Sequence, residues 1–187
     1  MTSAFILTFA ETGDDPAAAY DRVIEEMQLD GKLPAGALFH GAGPWEGGWR
    51  VVDVWEDEGA FETFAQEQIG PISARQGFGP PDVERIPAED VRSGGSGEPH
   101  FLQVVRLPFD GDAFRAMDEK VRPGGVAPDA LIHHINGPGA DGNWVVVDSW
   151  TSREDRDAFL RSRVFPNVPP DAPQPRLEDL ELHNHLI

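Results

Sequence analysis

Two seven-residue stretches, WRVVDVW at 49–55 and WVVVDSW at 144–150, each hold an aspartate between two tryptophans. Alternation along a strand puts Trp49, Val51, Asp53 and Trp55 on one face of the first, and Trp144, Val146, Asp148 and Trp150 on one face of the second. A carboxylate among aromatics on an inward face has to be paired or kept neutral, and either condition suits proton transfer or the anchoring of a substrate hydroxyl. His40 and His134 stand at matching places on the preceding segments. If each histidine reaches across a hairpin to its own aspartate, His40–Asp53 and His134–Asp148 are dyads able to take a proton from a phenol or an activated methylene. The register that decides this is not legible in the sequence. The competing reading makes each aspartate a structural acid and the tryptophans plain core aromatics.

Other candidates carry less. ELHNHLI at 181–187 spaces His183 and His185 two apart on one strand face, a metal geometry when a third ligand such as His133 or an aspartate converges. The reading adopted is that no metal binds and that His183 lies near the pocket mouth of the second half. The glycine-rich runs lack the strand-loop-helix setting of a phosphate loop, a dinucleotide fingerprint or a nucleophile elbow.

The elements that must position these residues come twice. Phe5–Phe9 reads as a strand, and Asp14-Asp15-Pro16 opens a helix with its stripe at Tyr20, Val23, Ile24 and Met27. Ala37–His40 is a second strand and WRVVDVW a third. Asp57 caps a helix carrying Phe61 and Phe64, and Val83–Ile86 is a fourth strand. Residues 92–99, RSGGSGEP, have linker composition. The pattern then repeats: strand Phe101–Leu107, helix with Phe114, Met117 and Val121, strand Ala130–Ile135, WVVVDSW, a Ser152-capped helix, and a closing strand Leu180–Ile187. Pro34/Pro128, His40/His134 and Pro44/Pro138 differ by 94; Trp49/Trp144, Asp53/Asp148, Trp55/Trp150 and Phe64/Phe159 differ by 95. One residue inserted in the glycine turn separates the two offsets. Residues 1–91 and 100–187 are therefore two βαββαβ repeats joined by 92–99, an α+β chain of ferredoxin-like units. Each four-stranded sheet leaves one face bare, so the repeats are expected to pack sheet to sheet as an intramolecular barrel, with a further homodimer open.

VVDVWEDEGAFETF and VVVDSWTSREDRDAFL, each a strand ending in an acid and a tryptophan followed by a capped helix, resemble the dimeric α+β barrel proteins of the antibiotic biosynthesis monooxygenase family. The resemblance implies a pocket between sheet and helices reached by Trp55 and Trp150, and an arginine in it at Arg75, 20 residues past Trp55 (75 − 55), where the second half has Pro170. It also implies oxygenation, or a related cyclisation or isomerisation, without a dedicated cofactor. The chain departs from the family at Val51 and Val146, where those oxygenases carry an asparagine. Haem degradation, another activity in the superfamily, would need a histidine in the second helix of a repeat, and neither has one.

Composition sets outer bounds. With 33 acidic against 15 basic residues the net charge is −18, which argues against a nucleic-acid backbone or an anionic membrane as partner. There are no cysteines, so disulfides and thiolate chemistry are excluded. No apolar run approaches a membrane span, and the first 15 residues have no basic region of a signal peptide. The expectation is a cytoplasmic protein acting on a small hydrophobic, aromatic or polyketide-like molecule by Asp/His acid-base chemistry: His40, Asp53, His134 and Asp148 catalytic; Trp49, Trp55, Trp144, Trp150, Arg75 and His183 substrate-binding. The alternative is a non-catalytic ligand-binding or stress-related protein. An open cavity of about 300 Å3 or more with Asp and His converging on it favours the enzyme, and a packed space favours the alternative.

Overall fold

The computed structural model describes residues 1–169 and 171–187. Two compact units emerge, Met1–Arg85 with Leu180–Ile187, and Ile86–Asp179. The first contains β1 (Ser3–Phe9), α1 (Pro16–Met27), β2 (Ala37–Trp45), β3 (Gly48–Trp55), α2 (Glu58–Phe64), a π-helical turn at Ala65–Ile69, α3 (Gly70–Arg75) and β4 (Asp82–Pro87). The second contains β5 (Asp90–Ser93), β6 (Phe101–Leu107), α4 (Gly111–Val121), β7 (Leu131–Pro138), β8 (Trp144–Trp150), α5 (Arg153–Phe159), a π-helical turn at Leu160–Val164 and β9 (Arg176–Glu181); β10 (Asn184–Leu186) closes the chain.

Each unit has the ferredoxin-like strand order with a fifth strand added: β10-β2-β3-β1-β4 and β5-β7-β8-β6-β9. The added strand comes each time from the segment after the other repeat's fourth strand. Two expected boundaries change accordingly. Arg92 and Ser93 belong to β5 rather than to a linker, and residues 180–187 join the first unit although they follow the second repeat in sequence. The crossing segments are equivalent, since His183 N donates to Ala42 O as Glu89 N does to Asn136 O, both at an offset of 94. Their passage explains two glycines. A Cβ on Gly43 would stand 2.2 Å from Glu181 O, and one on Gly137 2.0 Å from Pro87 O.

Local signals account for the helices. Asp15, Asp57, Asp110 and Ser152 each accept a backbone N–H three residues on, satisfying a donor that the first turn leaves open. The first unit's core is apolar and aromatic, with Phe5 stacked on Phe61 at 3.7 Å. Gln103 stands opposite Asp148 as Phe5 stands opposite Asp53, and Arg156 follows Phe61 by the repeat offset of 95. Both are buried, and Asp179 joins them, accepting from Gln103 Nε2 at 2.8 Å and from Arg156 Nη1 at 3.0 Å. A ring stack in one repeat is thus a polar network in the other.

His133 shows what β7 does with its opposite face. Its ring bonds Ser149 Oγ at 3.0 Å, and burial lowers its pKa from 6.5 to about 4. The unfolded chain therefore binds the proton first as pH falls, so stability is full above pH 6.5 and is lost between 6.5 and about 4. Urea titrations across that range should show a steep acid limb, and His133→Gln should flatten it; an unchanged limb would assign the loss to other groups.

Candidate functional site in the first unit

A bulge sets the geometry. In β2 the register against β3 shifts between Ala37 and Phe39, so that Ala37 lies opposite Trp55, Phe39 opposite Val54, and His40 opposite Asp53. Plain alternation would put Ala37 and His40 on opposite faces; the extra residue brings both onto the face of Trp55 and Asp53. The same shift recurs between Leu131 and His133, placing His134 opposite Asp148. Both expected histidine–aspartate pairs therefore form, at 2.7 Å for His40 Nδ1 to Asp53 Oδ1 and 2.6 Å for His134 Nδ1 to Asp148 Oδ1.

The two imidazoles differ at their other nitrogen. A carboxylate accepts, so Nδ1 of each ring carries the proton and Nε2 offers a lone pair. In the first unit Tyr20 Oη, from α1, lies 2.6 Å from His40 Nε2 and donates to it. In the second unit the same ring edge meets Arg122 Nη2 at 2.8 Å and Asn136 Nδ2 at 2.9 Å. Trp144 Nε1 can only donate, and it donates to Asn136 Oδ1 at 3.3 Å, which fixes the amide with its NH2 toward His134. His134 Nε2 is thus engaged by two donors, each with a further partner of its own. Phe114 takes the place of Tyr20, and each ring lies nearly parallel to its histidine, at 6.2 Å in the first unit and 6.3 Å in the second.

Tyr20, His40 and Asp53 all line one cavity of about 50 Å3, whose other walls apart from Ser73 are apolar: Trp49, Trp55, Val51 and Leu186 among them. Burial, and then the carboxylates of Asp53 and Asp21, push the Tyr20 phenol well above its ordinary value of 10. It keeps its proton at neutral pH. The indole N–H groups of Trp49 and Trp55 are buried without a hydrogen-bond partner among the described residues, as is that of Trp150 in the second unit. The volume is well short of the roughly 300 Å3 expected of a small-molecule pocket. The equivalent space in the second unit, with His134, Asp148 and Trp150 in its wall, measures about 100 Å3.

Three expected positions change. Arg75 is not in the pocket: its Nε donates to Glu26 Oε1 at 3.0 Å on the exposed surface, because the last turn of α3 faces α1 there. Its counterpart Pro170 lies outside the described residues. His183 belongs to the first unit, carried there by the crossing of β10; its Nε2 meets Asp21 Oδ1 at 2.7 Å, and its ring stands edge-on to Tyr20 and Trp49. Among the described residues no three metal-ligating side chains gather. Trp144 stacks on Phe114 and is not part of the second cavity's wall.

The structure adds Tyr20, Arg122, Asn136 and Leu186 to the residues read from sequence. A signal existed for Tyr20. It is the chain's one tyrosine, it lies on the inward stripe of α1, and a buried phenol needs a partner for its hydroxyl.

No protein-family model and no curated protein matches the sequence. Solved structures do. A proposed monooxygenase from Lactobacillus acidophilus superposes with a TM-score of 0.76 over 99% of this chain and 95% of its own, at 11% identity. A proposed monooxygenase from Fusobacterium nucleatum gives 0.77 over 99% and 94%, at 10% identity. An anthrone oxidase-like protein gives 0.51 over 98% and 92%, at 13% identity. The chain shares their fold. At these identities the likeness speaks to architecture alone, and what each unit does is read from its own residues. Among the described residues no helix is long and apolar enough to cross a membrane.

Proposed function

We propose that the first unit is an acid-base site for a small, largely apolar molecule bearing an acidic phenol or methylene next to a carbonyl, and that the second unit is its structural partner. The observation that carries this is the line Asp53–His40–Tyr20 ending at an apolar cavity. Asp53 fixes the imidazole tautomer, and His40 accepts the Tyr20 proton as the phenol oxygen takes one from the substrate, so free tyrosinate need not accumulate. The carbanion or phenolate so formed is the species that dioxygen oxidises in cofactor-independent oxygenation, and it is equally the intermediate of an isomerisation or cyclisation. Two donors occupy His134 Nε2, which is why the second unit is assigned no proton transfer.

The name of the anthrone oxidase-like neighbour suggests anthrone, with its activated methylene, as the first compound to test. The protein should accelerate formation of anthraquinone and uptake of dioxygen. Absence of acceleration with anthrone and with simple phenols would remove the enzymatic reading. One observation favours the second reading, a ligand-binding or purely structural role: the Tyr20 cavity holds only about 50 Å3. On that reading the Asp53–His40–Tyr20 line braces β2, β3 and α1, and compounds bind without turnover.

A further inference from the structure

The Tyr20 cavity shares a wall with a much larger space. A groove of about 400 Å3 runs beside the π-helical turn of the first unit, and Leu7, Phe9, Ile69, Ser73 and Phe78 line both it and the cavity. Apart from Gln66 and Ser73, every residue around the groove is apolar or glycine. Its volume lies in the range of about 300–1,000 Å3 that small-molecule sites occupy, whereas the cavity alone does not.

The groove is lined by small side chains at positions where the other repeat carries large ones. Ala65 and Gly70 line it, and at the same offset of 95 the second unit has Leu160 and Phe165. The two π-helical turns coincide at that offset; beyond them the first unit continues as α3, Gly70–Arg75, whereas the second passes into a short 3-10 segment at Phe165–Asn167 with Phe165 60% exposed. Only the unit whose His40 faces a phenol combines the dyad with this replacement of bulk by alanine and glycine.

We infer that cavity and groove are the head and tail compartments of one binding site, and that its ligand is an amphiphile: a phenolic or enolisable head on a long alkyl or fused-ring body. This rests on the acid-base reading of Tyr20, His40 and Asp53. The head meets Tyr20, and the body lies along Ala65 and Ala74 after Ile69 and Phe78 turn aside. A site built this way rejects a charged or strongly polar body, which would be desolvated without a partner.

The test is calorimetric titration with 4-alkylphenols, from 4-ethylphenol to 4-octylphenol. The dissociation constant should fall about threefold to fourfold with each added methylene until the groove is full. Ala65→Leu, which installs the second repeat's residue, and Ala74→Phe should abolish that gain while 4-ethylphenol binds as before, the latter serving as the control for folding. A dissociation constant indifferent to chain length, no binding at any length, or a gain that both variants leave intact overturns the two-compartment site. The acid-base reading fails differently, through a chain-length series that holds while anthrone oxidation is indifferent to His40→Ala.

Discussion

His40→Ala or Asp53→Asn should each slow oxidation of anthrone by about 10²–10⁴-fold, the usual contribution of a positioned acid-base group. Tyr20→Phe should fall in the same range, since it removes the atom that meets the substrate and leaves the ring arrangement that Phe114 and His134 already display. His134→Ala and Asp148→Asn should leave the rate of folded protein unchanged. The contrast arises at one nitrogen, because His40 Nε2 faces a hydroxyl that can exchange its proton and His134 Nε2 faces a guanidinium and an amide. Rates measured for all five variants, with circular dichroism to establish the folded fraction, decide the matter. Equal losses from both dyads would move the chemistry out of the first unit alone.

The largest effect on stability is expected at Arg156. Its side chain is 5% exposed, lies over the Phe101 ring at 4.7 Å, and bonds both oxygens of Asp179, to which Arg153 and Gln103 also donate. Arg156→Ala strips the buried network of its central cation and leaves a cavity, and should cost about 3–5 kcal/mol in urea unfolding. Restoring the first unit's solution, with Gln103→Phe and Arg156→Phe together, should recover part of that loss, because the two rings can stack as Phe5 and Phe61 do. A double-mutant cycle reads the coupling directly. Additive effects would mean that the two positions do not act as a pair.

These two expectations differ in how far the sequence foretold them. The repeat and the caps at Asp57 and Ser152 follow from residue type and spacing; the matching places of His40 and His134 point to a pairing with Asp53 and Asp148, but the register and the bulge that complete it are not written in the local pattern. The divergence of Phe61 from Arg156 is visible in the same alignment, but its meaning needs Asp179, which no local pattern links to β6. Tyr20 reads as one more stripe residue because the rotation of α1 over the sheet is a tertiary quantity. Arg75 fails for a related reason: a distance of 20 residues fixes a place along the chain and not the side of α3 from which the side chain leaves. The crossing of β5 and β10 escapes sequence reading altogether, since a strand's periodicity does not say which sheet edge it joins. That crossing brings Leu186 opposite His40 and His183 against Trp49.

The continuous line from Asp53 through His40 to Tyr20 at a buried site has a spectroscopic readout free of overlap, because Tyr20 is the chain's one tyrosine. Its phenol is held well above 10 by burial first and by the Asp53 carboxylate second. The unfolded chain gives up that proton near pH 10 while the folded chain keeps it, so stability should also decline as pH rises beyond 10. The decisive measurement is the ultraviolet absorbance of tyrosinate against pH, in the native protein and in Asp53→Asn. The structure predicts that the folded protein ionises well above pH 10 and that Asp53→Asn brings the transition down while leaving it above the ordinary value. Ionisation near pH 10 in the native protein, or a transition that Asp53→Asn does not move, would contradict it.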